Sequence, residues 1–177
     1  MAKGDPVIAP WSQTTLLSAV GRDPLVVALA PDEAHLAALA RTLDLVALPE
    51  FSGEVTLKSW LDGAQLQGRW QARVVQTCGV SLEPFETPLA GDFHVRLVPT
   101  GSPNAPVAES EIEVDPEADD PPDVLEGPAI DLAAYLVEHL ALEIDPFPRA
   151  PGAIFEPPEP NAIISPFAAL QSLKKEG

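Results

Sequence analysis

The sequence has a single cysteine, Cys78, so no disulfide can form within the chain and nothing in it points to an oxidising compartment. It is also short of positive charge. Lys and Arg number 10 against 27 Asp and Glu, a formal charge of −17 that repels phosphate backbones and draws basic partners. Aromatic residues make up only 6 % of the chain, so a core must rest on Leu, Val and Ala, with a few large anchors such as Trp60 and Trp70. No stretch approaches the ~20 apolar residues of a spanning helix, and Met1 to Pro10 has neither the basic start nor the apolar run of a signal peptide. The expected address is the cytoplasm, with no membrane contact.

Catalytic signatures are missing too. There is no glycine-rich dinucleotide fingerprint, no Walker phosphate loop, no HExxH and no GxSxG elbow. His35, His94 and His139 fall on three separate predicted elements with no Cys or His at ligand spacing, which makes them ordinary surface residues. No catalytic residue, no metal, no cofactor and no small-molecule substrate is therefore expected, and the chain does not read as an enzyme.

At 177 residues the chain suits one domain with tails, placed at 1–148, followed by a proline-rich C-terminal arm at 149–177. Leu25 to Ala30 is a short aliphatic run that reads as a strand, and Pro31, Asp32 and Glu33 suit the first turn of a helix. In that helix Leu36, Leu39, Ala40 and Leu43 share one face. From Gly53 the period becomes two. Val55 and Leu57 alternate with Glu54, Thr56, Lys58 and Trp60, Asp62-Gly63 supplies a hairpin turn, and Leu66, Gly68, Trp70, Ala72 and Val74 oppose Gln67, Arg69, Gln71 and Arg73. Phe93, Val95 and Leu97 against His94 and Arg96 make a third strand. Pattern is lost over about 100–128, where Glu109 to Glu126 is acidic and proline-broken, and this predicts a disordered insert. Asp131 caps a second amphipathic helix carrying Leu132, Leu136 and Leu140, which Pro146 and Pro148 stop. The expected fold is α+β: an antiparallel β-meander packed by two amphipathic helices, with a disordered acidic loop and a proline-rich arm ending in a short helix.

Three surfaces are candidates for function. Lys58, Trp60, Arg69, Arg73 and Arg96 alternate onto the polar side of the sheet, either as a basic and aromatic RNA-binding face or as a solvated face with cross-strand pairs to Glu54 and Asp92. The terminal stripe Pro166, Phe167, Leu170, Leu173 and Lys174 follows a long proline-rich arm, so it docks on the body or binds a partner. Cys78, with Gly79 and Val80 beside it and no adjacent base, reads as a small buried hydrophobe.

Three blocks resemble the YceD family of large ribosomal RNA subunit accumulation proteins. Val74 through Cys78 to Pro84 and Phe85 is similar to the family's strand leading into a Cys-x-x-Cys-x-x-Pro turn, with Cys78 and Pro84 as its structural residues. Ile130-Asp131-Leu132 through Pro146 and Pro148 resembles its acidic-capped helix and proline pair. Ser165-Pro166-Phe167-Ala168-Ala169-Leu170 resembles its terminus. Ser81 stands where many relatives have a second cysteine, so a zinc or redox pair at this turn is not expected. The resemblance implies a non-enzymatic role in accumulating large-subunit ribosomal RNA. The partners it implies are a large-subunit precursor, a ribosomal protein or the rRNA itself.

Overall fold

The computed structural model describes residues 10–106 and 120–155. In chain order these form β1 (Thr14–Leu16), a single 3-10 turn, β2 (Leu25–Leu29), α1 (Glu33–Thr42), β3 (Ala47–Trp60), β4 (Gly63–Thr77), β5 (Pro84–Pro99), β6 (Asp123–Leu125), β7 (Ala129–Asp131) and α2 (Leu132–Glu143). β2 to β6 form one sheet in sequence order, and β1 pairs with β7 in a separate two-stranded ribbon. The architecture is α+β, as expected. β2 runs antiparallel to β3, and the meander β3–β4–β5 is antiparallel throughout. One correction concerns β6, which pairs in parallel with the end of β5.

Alternation decides the two faces of the sheet. Val55, Leu57, Leu66, Trp70, Ala72, Val74, Phe93 and Leu97 are buried together with Leu39 of α1 and Leu132, Leu136 and Leu140 of α2. Trp70 packs edge-on to Phe51, 6.5 Å between ring centroids, and lies so close over Gly91 that a Cβ there would come within 2.8 Å of its ring. Its buried indole N–H has no partner among the described residues, a local cost that the surrounding apolar burial offsets. On α2, Tyr135 and His139 both stack on Phe93, His139 at 4.3 Å and nearly parallel.

Caps sit where the sequence places them, with one shift. Asp32 lies outside α1 and accepts from the His35 N–H, while Asp131 accepts from the N–H groups of Ala133 and Ala134. Each satisfies donors that a helix start leaves orphaned. The hairpin turn is offset by one residue from the Asp62-Gly63 expectation. Trp60 pairs with Gly63, so Leu61 and Asp62 are the loop and Leu61 takes the positive φ of 50°.

The insert expected over about 100–128 is structured at both ends. Ser102 and Asn104 donate to the Asp62 carboxylate at 3.0 and 2.9 Å, and Asp123–Leu125 is β6. Pro121 and Pro122, having no N–H, stop that pairing at Asp123. Residues 107–119 of the insert, and the C-terminal stripe with Pro166, Phe167, Leu170, Leu173 and Lys174, lie outside the described residues.

Candidate functional site

The polar face of the sheet is assembled from rows across β3, β4 and β5. Lys58, Gln65 and Arg96 share one row; Glu54, Arg69 and Asp92 share another. With Trp60 two positions on from Lys58 and Arg73 two rows beyond Arg69, all five residues singled out in the sequence lie on this one face. Its charge is balanced. Arg69 stands in register between two carboxylates, and Arg73 is bridged to Glu50 at 3.3 Å and to Glu86 at 2.9 Å. The Lys58 amine donates to the Gln67 side-chain oxygen at 3.5 Å. Arg96 lies over the Trp60 ring, 5.4 Å from its centroid, so this tryptophan belongs to the polar face and not to the core. An open concavity of about 470 Å³ lies over Ala28, Ala30, Ser52 and Ala90, with Trp70 and Gln71 as larger walls and Arg69 as its one charged residue.

The second candidate is the β4–β5 turn. Cys78 is fully buried, and its sulfur accepts from the N–H groups of Val80 and Ser81 at 3.4 Å and of Ala150 at 3.3 Å. The Ser81 hydroxyl and then these backbone donors favour the thiolate, outweigh burial and pull the thiol down from 9.0 to about 6. The residue is thus buried as expected but is not a plain hydrophobe. Ser81 thus supplies hydrogen bonds to the sulfur from within the turn. Pro84 opens β5 beyond the turn, which is exposed at Leu82 and Glu83.

The turn also holds the chain that follows α2. Gly79 N–H donates to the Pro148 carbonyl at 2.9 Å, and the Gln76 amide donates to the Asp145 carbonyl at 2.8 Å. Residues 145–150 are therefore strapped to the sheet, so the arm expected from residue 149 begins as part of the body. Sequence reasoning missed this strap, and it missed Glu50 and Glu86. Glu50 continues the alternation of Ser52 and Glu54 once Pro49 is accepted inside β3, and that signal was available.

Among the described residues no three His, Cys, Asp or Glu side chains group as metal ligands, and no helix is long and apolar enough to cross a membrane. A family model described as large ribosomal RNA subunit accumulation protein YceD matches residues 66–174. No curated protein and no solved structure matches the chain.

Proposed function

The chain belongs to the YceD family of large ribosomal RNA subunit accumulation proteins, and from that premise we propose that it acts in the cytoplasm without catalysis, by binding a basic ribosomal protein of a large-subunit precursor. The observation that carries this reading is the charge balance of the sheet face. A surface that binds phosphates must hold cations in excess, because affinity comes from displacing counterions. Here Arg69 and Arg73 are matched by Glu54, Asp92, Glu50 and Glu86, while the chain as a whole carries −17. Such a molecule attracts lysine- and arginine-rich protein surfaces and competes with rRNA for them.

The test is affinity purification from cells with and without ribonuclease. Large-subunit proteins retained after ribonuclease, and lost when the glutamates and aspartates of 109–119 are replaced by Gln and Asn, are the expected result. Recovery of precursor rRNA alone, abolished by ribonuclease, would overturn it in favour of direct rRNA binding. The corner of Lys58, Trp60 and Arg96, where a cation already lies on an aromatic ring, is the specific feature that favours that second reading. Lys58→Glu would then eliminate RNA crosslinking.

A further inference from the structure

β5 is the longest strand, Pro84–Pro99, yet its partner on the far side from β4 covers only Leu97 to Pro99. Pro121 and Pro122 end that pairing, so among the described residues no strand lies against β5 before Leu97. The direction of the unpaired groups follows from register. The Thr100 N–H donates to the Leu125 carbonyl at 3.2 Å, and the β4–β5 ladder is unbroken from Thr77–Pro84 to Ala64–Leu97. Alternation then aims the N–H groups of Ala90, Asp92 and His94 away from β4. The nitrogens of Pro84 and Pro88 face the same way, which is why two prolines are tolerated inside the strand.

Those prolines guard only the first part of the edge. Leu89 to Val95, roughly 23 Å at about 3.3 Å per residue, has no strand against it among the described residues. The border of this stretch is acidic. Glu86, bridged to Arg73, and Asp92, in register with Arg69, lie on β5; Asp120 and Asp123 stand at its far end with His94 and Arg96 in a polar cleft of about 410 Å³, and Tyr135, stacked under Phe93, donates its phenol proton to Asp123 at 3.3 Å. Each nearby arginine already has partners, Arg69 between Glu54 and Asp92, Arg73 bridged to Glu50 and Glu86, and Arg96 over Trp60, so carboxylates outnumber arginines along this border.

We propose that the open edge of β5, Leu89 to Val95, is a docking strand that takes an extended basic segment of a protein partner as an added strand. Main-chain bonds to Ala90, Asp92 and His94 hold the segment, and its alternate Lys or Arg side chains reach the carboxylates along the border. The inference deepens the protein-partner reading and rests on it for the partner's charge.

The probe is a short synthetic peptide of alternating lysine and valine, titrated into the full-length protein while amide exchange is followed residue by residue. Slower exchange at Ala90, Asp92 and His94 is expected, with affinity lowered about tenfold or more by Ala90→Pro, which removes one outward N–H as Pro88 already does. Should Ala90→Pro fail to fold, the same peptide with alternate backbone nitrogens methylated is added to the wild-type protein, and loss of binding is the expected result. Unchanged exchange at these amides, equal binding of a glutamate-valine peptide, or equal binding of the methylated peptide would each overturn the proposal. Purification with Ala90→Pro separates the two ideas. Ribosomal proteins captured equally by wild type and variant defeat the edge and leave the partner reading standing, whereas none captured by wild type defeats the partner reading while the peptide result still decides the edge.

Discussion

At one end of the meander the β3–β4 turn is fastened by two bonds from Ser102 and Asn104 to the Asp62 carboxylate; at the other, the β4–β5 turn is fastened to the strap after α2 by Gly79, Gln76 and the Cys78 sulfur. Asp62 is exposed and Cys78 is fully buried. Each turn contains a leucine at positive φ, Leu61 at 50° and Leu82 at 60°, so their backbone geometry asks the same concession. They differ in where the glycine is tight. A Cβ on Gly63 would lie 1.9 Å from the Leu97 carbonyl oxygen, whereas one on Gly79 would lie 3.6 Å from that of Pro148. The first turn is set by a close backbone approach and the second by what its side chain holds.

Substituting the two glycines is the most direct way to break the comparison. Gly63→Ala must displace β5 and is expected to lower Tm by about 10 °C or more, while Gly79→Ala changes it by less than about 2 °C. Thermal unfolding followed by circular dichroism reads both, and equal effects would mean the turns are constrained alike.

Next in size is the loss of the clasps. Cys78→Ala leaves a small cavity and three N–H groups without their acceptor, with an expected fall in Tm of about 5 °C; Asp62→Ala, whose lost bonds water replaces, costs no more than about 2 °C. The sulfur clasp also carries a pH signature. Its folded value of about 6 lies below the ordinary 9.0, so its contribution is complete above the ordinary value and is lost as pH falls through the folded one. Stability of wild type relative to Cys78→Ala should therefore decline as pH drops from 9 to 6, and urea titrations at several pH values show whether it does. Smallest is the gain from Leu61→Asn and Leu82→Asn, each relieving a left-handed leucine and raising Tm by about 2 °C; a gain at one turn alone would show that the other leucine is held by packing.

Those turns also mark how far the sequence could be read. α1, α2 and the middle of β3 and β4 were legible because each repeats its period several times, and the common face of Lys58, Trp60, Arg69, Arg73 and Arg96 follows from that alternation alone. β1, β6 and β7, of three residues each, are too short to show a period, and β1 finds its partner in β7 far along the chain. The first half of β5 is hidden because Pro84 and Pro88 read as breakers unless their nitrogens are known to face outward. That concealment also hid Glu86, and with it the neutralisation of Arg73. At Cys78 the local donors lie two and three residues away, but the Ala150 N–H comes from 72 residues on, a proximity that only the folded chain creates.

The pairing of β1 with β7 has a consequence for the order in which the molecule can be made. Leu132 donates to the Gln13 carbonyl, and Gln13 donates to the Asp131 carboxylate, so the start of the described fold closes on the entry to its last helix. During translation α1 and the whole meander emerge before α2, and the part of the apolar face that α2 covers, with Phe93, waits uncovered until α2 has left the exit tunnel. Loop-closure entropy makes this last docking the slow, long-range step. For that interval the nascent chain shows the cell a half-covered sheet, the kind of surface that chaperones bind, before it can serve as a partner to anything else.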